Sequence, residues 1–268
     1  MENSSNGKIA RNTTFLTGAF IFQKVLSFFY FAYISRQLGS ENIGKYVWAL
    51  SFAGIFALFI EFGLGPVLTR EVSRNYEKAR EYLSSILGIK ILFSVITVTA
   101  LLIASHAMGR DAITMQIIYI AVAIIVLDSF TFSFYSIFRA YQKLHFEAIG
   151  LTIYQLLIVG SGVAGIVFGL SVKGVVLAVL IGSIFNFAYS LSLVVFKAKL
   201  KPRIRFNKKI VKLLLKIAIP FAIAGLFFKV NNEIDKVLLG VIAGDKYVGW
   251  YSIASKFNMI HIAHVAKR

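Results

Sequence analysis

Residues 113–138 read ITMQIIYIAVAIIVLDSFTFSFYSIF, and this stretch decides the fold class. It holds one charged residue, Asp128, and it exceeds the roughly 20 predominantly apolar residues that a helix needs to cross a bilayer. A helix on the surface of a soluble protein would show a polar face along its whole length, and this stretch has no such face. It therefore predicts a membrane-spanning helix.

Further apolar runs of similar length lie on both sides of this stretch. We place eight spans near residues 13–34, 43–67, 83–107, 113–138, 146–170, 175–196, 211–242 and 248–266. The runs are continuous, whereas the strands of a membrane barrel alternate between apolar and polar residues. The sequence therefore predicts an all-α, polytopic membrane protein with about eight transmembrane helices.

Composition narrows the chemistry that the chain can perform. Hydrophobic residues make up 58% of the 268 residues, and the mean hydropathy is +0.76. The chain has no cysteine, which excludes disulfides, thiolate chemistry and most transition-metal sites. It also lacks a glycine-rich phosphate-binding loop of the kind that holds ATP. We therefore predict neither a cofactor, a metal site nor an enzymatic activity.

The net charge of +17 indicates either nucleic-acid binding or a basic cytoplasmic face. With the N-terminus inside, the inner segments carry sixteen basic residues: Lys8, Arg11, Arg70, Arg74, Lys78, Arg80, Arg139, Lys143, Lys197, Lys199, Lys201, Arg203, Arg205, Lys208, Lys209 and Lys212. The outer segments carry five: Arg36, Lys45, Arg110, Lys173 and Lys246. This asymmetry predicts a cytoplasmic N-terminus and favours anionic lipid headgroups, not nucleic acid, as partners of the basic run 197–212.

The chain repeats itself at an offset of 205 residues. The matching pairs are Ala19 and Ala224, Phe22 and Phe227, Lys24 and Lys229, Val25 and Val230, Gly39 and Gly244, Gly44 and Gly249, Tyr46 and Tyr251, Ala49 and Ala254, and Phe52 and Phe257. Six predicted spans separate the copies, so both copies have the same orientation in the membrane. Parallel repeats of this kind are typical of transporters with a substrate path between two halves.

The repeat predicts two units of unequal length. Residues 1–208 form a six-helix transmembrane unit with a basic cytoplasmic linker, and residues 209–268 hold only the first two helices of a second unit. The sequence leaves open whether the chain is a fragment, works as two combined copies, or is a non-functional truncated remnant.

Four segments resemble one family of membrane proteins. They are LGSENIGKY at 38–46, EFGLGPVLTREVSR at 61–74, FRAYQK at 138–143, and the region from Pro220 to Tyr251 with its polar residues 232–236. These segments are similar to those of the oligosaccharide flippases, the polysaccharide-export (Wzx-like) branch of the MATE-like MOP superfamily.

The resemblance implies both a fold and a function. The fold is a MATE-like six-helix N-lobe followed by the start of a C-lobe, with a cationic cavity between the lobes. The function is to move a polyprenyl-linked oligosaccharide, held by its phosphate or pyrophosphate, from the cytoplasmic to the outer leaflet of the cell membrane. A polysaccharide polymerase or glycosyltransferases would be its protein partners.

Charged and polar residues inside the spans are costly, so each requires a reason. Lys24 and its repeat partner Lys229 are candidate ligands of the phosphate, with Arg36 assisting at the outer end of the first span. Gln23, Asn231 and Asn232 are candidates for bonding sugar hydroxyls. The alternative is that these groups pair with neighbouring helices or reach the membrane interface.

The acidic residues of the spans are candidates for ion coupling or for gating. They are Glu61, Asp128, Glu233 and Asp235. The alternative, which the sequence favours, is that they form ordinary ion pairs between helices. Three further lysines, Lys90, Lys216 and Lys256, lie nearer span ends, where we expect them to extend toward the interface.

Two other functions compete with the flippase. A multidrug or cation exporter of the MATE-like branch would require a cavity dominated by carboxylates. A membrane-embedded, polyprenyl-dependent transferase would require an acidic or histidine-containing site at one membrane face.

One structural expectation is independent of this choice: Gly63 and Pro66 should break the second span at its cytoplasmic end, because proline removes a helix donor.

Overall fold

A computed structural model describes residues 2–201, 203–204 and 207–265, with side chains described for residue 14 and between residues 16 and 256. The described part of the chain consists of helices joined by short turns and one linker, and it contains no strand. Its helices are α1 (Glu2–Glu61), α2 (Leu64–Arg74), α3 (Ala79–Ala107), α4 (Ala112–Ala140), α5 (His145–Val167), α6 (Ser171–Ser192), α7 (Lys208–Ile242) and α8 (Asp245–Val265). A 3₁₀ turn at Tyr76–Lys78 precedes α3, and a π-helical turn at Leu193–Lys197 ends α6.

Helix α1 contains the first two predicted spans. At 1.5 Å per residue its 60 residues would extend about 90 Å, far more than the ~30 Å hydrocarbon core. Gly39 divides it, because its φ of 75° and ψ of 167° are not helical. We refer to residues 2–38 as the first half of α1 and to residues 40–61 as its second half.

The expected break after the second span is present. Phe62 and Gly63 have positive φ values of 41° and 68°, and α2 starts directly afterwards. Pro66 lies in the first turn of α2, where a missing backbone donor costs little. The Glu61 carboxylate accepts a hydrogen bond from the Gly65 backbone N–H at 2.8 Å, which satisfies one of the free donors of that turn.

Six helical segments of the described chain are long and apolar enough to cross a membrane. They are Leu16–Arg74, Tyr76–Ala107, Ala112–Ala140, His145–Val167, Ser171–Lys197 and Lys208–Ile242. The prediction of an all-α, multi-pass membrane protein is therefore confirmed. The count of eight stays a prediction, because the first segment holds two predicted spans and α8 is not among the six.

Helix α7 is continuous through residues 231–235. Pro220 lies within the helix and does not end it. The helix has a charged face, described below, and an apolar surface where Phe227 and Phe228 are each 73% exposed. Apolar side chains exposed at this depth suit contact with acyl chains.

The repeat is visible in the helix boundaries. The second half of α1 begins after Gly39, and α8 begins after Gly244, whose φ is 95°. The two glycines are 205 residues apart and both have a left-handed φ, which glycine adopts without steric cost. Helix α8 packs closely on α1, so the second copy lies against the first. The predicted boundary between the units, at residue 208, stays a prediction.

Candidate functional site

A cavity of about 550 Å³ lies where α1, α5, α6, α7 and α8 meet. Both halves of α1 contribute to its wall, including Ser51 near the middle of the second half. The polar side chains that line it include Gln23, Ser51, Gln155, Lys229, Glu233, Lys236 and Lys256. Charged groups inside a membrane bundle are expected to face such a space instead of the lipid.

Helix α7 supplies three of the charged groups from one face. Lys229, Glu233 and Lys236 are spaced by four and three residues, which places them one above another along the helix. Lys229 Nζ lies 3.1 Å from Glu233 Oε1, and Lys236 Nζ lies 2.8 Å from Glu233 Oε2. Ser51 Oγ of α1 donates a hydrogen bond of 2.7 Å to the same carboxylate. Glu233 therefore joins two lysines to α1.

Helix α8 adds the third lysine. Lys256 lines the same cavity, and its ammonium lies 5.2 Å from the centre of the Phe31 ring of α1. Its electrostatic neighbours are Lys236 and Glu233. Three lysines and one glutamate give the cavity wall a formal charge of +2. The geometry is suited to an anion, because lysine offers a compact charge with three donors.

A glycine of α1 makes room for Lys229. A Cβ added at Gly54 would lie 3.2 Å from both Lys229 Cε and Nζ. A Cβ at this position would require the flexible end of Lys229 to shift by a few tenths of an ångström. Gly54 of α1 thus lies directly beside the Lys229 ammonium.

The predicted substrate ligands are only partly brought together. Gln23 and Lys229 line the cavity, whereas Lys24, one residue further along α1, is exposed and is not among the lining residues. Arg36 is exposed and lines a neighbouring space of about 460 Å³ together with Lys256. A role for Lys24 and Arg36 in binding substrate stays a prediction.

Asn231 and Asn232 lie on the exposed side of α7, away from the cavity lining. The Asn232 side-chain amide donates to the Phe228 backbone oxygen at 2.6 Å, a bond within the helix. A role for either residue in recognising sugar hydroxyls stays a prediction.

Glu61 is paired within the first unit. Lys90 Nζ of α3 bonds the Glu61 carboxylate, the Ser129 backbone oxygen at 2.6 Å and Ser129 Oγ at 3.0 Å. The expectation that Lys90 extends toward the interface is wrong, since its side chain is 0% exposed. A carboxylate on the adjacent span explains the difference, because an ion pair satisfies the charge without contact with water.

The remaining two acidic candidates have different surroundings. Asp235 accepts hydrogen bonds from the Tyr251 hydroxyl of α8 and from the Lys236 backbone N–H at 2.8 Å. Asp128 of α4 has a buried Oδ1 that receives no hydrogen bond within the described chain. A gating or coupling role for Glu61, Asp128, Glu233 and Asp235 stays a prediction.

Sequence reasoning missed Lys236 and misplaced Lys256, which we had expected near the interface. The helical spacing of 229, 233 and 236 could have identified Lys236. Lys256 could not be assigned, because only the packing of α8 on α1 turns it toward the cavity. Among the described side chains, no group of three histidines and carboxylates is arranged to hold a metal ion.

The sequence matches one protein family along nearly all of its length. Residues 9–265 match the family model described as polysaccharide biosynthesis protein. A curated relative, the probable low-salt glycan biosynthesis flippase Agl15 of Haloferax volcanii, is 23% identical over 252 residues. That alignment covers 94% of this chain and 52% of the relative, so the chain spans about half the length of the curated relative that it matches.

Solved structures show the same fold. The outward-facing conformation of a multidrug resistance MATE family transporter of the MOP superfamily matches with a TM-score of 0.63 and 15% identity, over 97% of this chain and 61% of that one. The inward-facing conformation of such a transporter matches with a TM-score of 0.59 and 17% identity, over 90% and 59% of the two chains. The expected MATE-like fold is confirmed.

Proposed function

The chain belongs to the polysaccharide biosynthesis protein family, and we propose that it forms part of a flippase for lipid-linked oligosaccharides. The substrate would be a polyprenyl-linked oligosaccharide, moved from the cytoplasmic to the outer leaflet for the synthesis of a surface polysaccharide. The curated relative, itself a probable glycan biosynthesis flippase, supports this proposal.

The charge of the cavity is the observation that carries the proposal. Lys229, Lys236 and Lys256 converge on one space, and Glu233 is the single carboxylate among its described lining residues. The phosphate or pyrophosphate of the lipid carrier is the anionic part of such a substrate. Charge-assisted hydrogen bonds from lysine to phosphate are among the stronger polar contacts in proteins.

The positive charge of the cavity wall also distinguishes the flippase from the competing cation exporter. An exporter of cationic drugs would use carboxylates to attract its substrate, and Glu233 is here neutralised by two lysines. No covalent step is needed to move a lipid headgroup, because different affinities in two conformations suffice. We therefore prefer the flippase to both the cation exporter and the transferase.

The membrane and the orientation are part of the same proposal. We place the chain in the cell membrane with its N-terminus in the cytoplasm, on the strength of the excess of basic residues in the inner segments. A glycosyltransferase or a polysaccharide polymerase would supply or consume the lipid-linked oligosaccharide.

Lysine substitutions in the whole protein test the proposal. In cells that depend on this protein for surface polysaccharide, we expect Lys236→Ala and Lys256→Ala to lower the amount of polymer at least tenfold. Lys173→Ala is the matched control, because Lys173 is exposed and lies outside the cavity. Lys24→Ala separately tests the prediction, made from the repeat, that Lys24 binds the phosphate. Normal polymer in both cavity variants, at normal protein levels, would refute the proposal.

A further inference from the structure

A second pocket lies where the basic linker between α6 and α7, residues 198–207, runs past the start of α3. It measures about 770 Å³, which is within the range of roughly 300–1,000 Å³ for small-molecule sites in proteins. Its lining includes Arg80, Glu81, Ser84, Ser85, Arg203 and Lys208. None of these residues lines the cavity described above, so this linker pocket is a separate site.

Hydrogen bonds hold the linker on α3 and so form the two sides of the linker pocket. Arg80 Nε of α3 donates to the Lys201 backbone oxygen at 3.0 Å. In the other direction, the Arg203 backbone N–H donates to Ser84 Oγ of α3 at 3.2 Å. These contacts leave the terminal nitrogens of both arginine side chains available to a ligand.

Ser85 marks the wall of the linker pocket as incomplete. Its side chain is 1% exposed, yet its Oγ has no hydrogen-bond partner within the described part of the chain. A buried hydroxyl without a partner is unfavourable, and most buried polar atoms in proteins are hydrogen-bonded. Because Ser85 lines the pocket, a ligand bound there would supply the missing partner.

The charged groups of the linker pocket do not neutralise one another. Arg80, Arg203 and Lys208 supply three positive charges, and two glutamates, one of them Glu81, supply two negative charges. None of the three cations lies within ion-pair distance of a described carboxylate. Both signs of charge are therefore available to a ligand.

The linker pocket lies at one face of the membrane. The membrane-spanning segments Tyr76–Ala107 and Lys208–Ile242 both begin beside it. Phe196, just before the linker, and Ile204, within it, are 75% and 71% exposed. Exposed apolar side chains among basic residues suit the boundary between headgroups and acyl chains. A phospholipid headgroup is the ligand that this position makes available.

A headgroup that carries both a phosphate and a primary ammonium satisfies all of these groups. The phosphate accepts hydrogen bonds from the two arginines and from Ser85, and the ammonium donates to a carboxylate such as that of Glu81. A purely anionic headgroup would instead leave two carboxylates facing a negative charge. We propose that the linker pocket binds the phosphoethanolamine headgroup of a membrane phospholipid. Because Arg80 belongs to α3 and Arg203 to the linker, one bound phosphate fastens the linker to α3.

Lipid binding to the purified whole protein tests the choice of ligand. Native mass spectrometry in detergent gives the affinity for the first molecule of dioleoyl phosphatidylethanolamine, phosphatidylglycerol or phosphatidylcholine. We expect phosphatidylethanolamine to bind at least fivefold more tightly than the other two, because phosphatidylglycerol lacks an ammonium and that of phosphatidylcholine has no N–H donor. Free phosphoethanolamine is the probe for a soluble ligand. Equal binding of the three lipids, or binding of free phosphoethanolamine as tight as that of the lipid, would overturn the proposal.

Substitutions test the place of binding. We expect Arg203→Gln to weaken the binding of phosphatidylethanolamine about tenfold, because a charge-assisted hydrogen bond is lost, and Ser85→Ala to weaken it at least threefold. Lys173→Gln is the control, because Lys173 is exposed and lies outside the linker pocket. Unchanged binding in both pocket variants would overturn the site.

The unfolding temperature of Ser85→Ala separates a role in binding from a role in folding. In detergent without lipid, we expect this variant to unfold at the same temperature as the unmodified protein or at a higher one, because the substitution removes a buried hydroxyl that has no partner. Added phosphatidylethanolamine should raise the unfolding temperature of the unmodified protein more than that of the variant. A lower unfolding temperature of Ser85→Ala without lipid would show that the hydroxyl is bonded within the protein, which would contradict the proposal.

Discussion

Gly44 of α1 lies directly against the backbone of Asp245 at the start of α8: an added Cβ would be 1.7 Å from the Asp245 carbonyl oxygen. The reciprocal contact is also present, since a Cβ added at Gly249 would lie 1.9 Å from the Ser40 carbonyl oxygen. Ser40 and Asp245 are 205 residues apart, as are Gly44 and Gly249. Reciprocal contacts of this kind are expected where two copies of a unit face each other across a two-fold axis.

Alanine at either glycine should disrupt this crossing. We expect Gly44→Ala and Gly249→Ala each to destabilise the protein by about 1–3 kcal/mol, because the added methyl group meets backbone that cannot rotate away. Thermal unfolding of the purified whole protein measures the effect. Gly160→Ala is the control, since a Cβ there meets nothing within 4 Å. Equal stability of Gly44→Ala and Gly160→Ala would show that the two backbones are not in contact.

The buried pair of Glu61 and Lys90 should behave as a unit. Glu61→Gln leaves Lys90 charged and fully buried, and removing one partner of a buried pair costs about 3–5 kcal/mol. The double variant Glu61→Gln with Lys90→Met removes both charges, and we expect it to recover most of that loss. Thermal unfolding of the single and double variants gives the coupling energy. Strictly additive losses would mean that the ion pair does not exist.

Arg110 joins the turn between α3 and α4 to the turn between α7 and α8. Its guanidinium lies 3.7 Å from the centre of the Trp48 ring, bonds Asp245 Oδ1 at 2.9 Å, and donates to the Gly240 backbone oxygen at 3.2 Å. Burial raises the pKa of Asp245 above its ordinary value, although Arg110 opposes this shift.

Removing this arginine should loosen both turns. We expect Arg110→Gln to increase amide hydrogen exchange at residues 107–112 and 240–246 at least tenfold, because exchange follows the free energy of local opening. Arg36→Gln, at an exposed arginine, serves as the control. Unchanged exchange at residues 240–246 would exclude Arg110 as a link between the two turns.

The sequence correctly predicted the features that depend on residues close together in the chain. Continuous apolar runs located the helices, and Gly63 with Pro66 located the break after the second span. The repeat identified Lys229 and the matching glycines at 39 and 244. What could not be derived was the direction in which each charged side chain points.

Lys24 and Lys90 show why this direction was missed. Lys24 matches Lys229 in the repeat, yet it is exposed on α1 while its neighbour Gln23 lines the cavity. One residue rotates a helix by about 100°, so a small difference in packing moves a side chain to another face. Lys90 is held by the second half of α1, a partner 29 residues away that hydropathy does not reveal.

Substitution of Glu233 tests the anion-binding cavity most directly, because the sign of the effect is decisive. The affinity of the whole protein for a short-chain polyprenyl diphosphate oligosaccharide is measured for Glu233→Gln and Lys236→Gln, with Glu77→Gln, at an exposed glutamate outside the cavity, as the control. We predict that Glu233→Gln binds the oligosaccharide more tightly, because two lysines are released from their carboxylate. We predict that Lys236→Gln binds it about tenfold more weakly, because one charged hydrogen bond is lost. Weaker binding by Glu233→Gln, or equal binding by all variants, would contradict an anion site in this cavity.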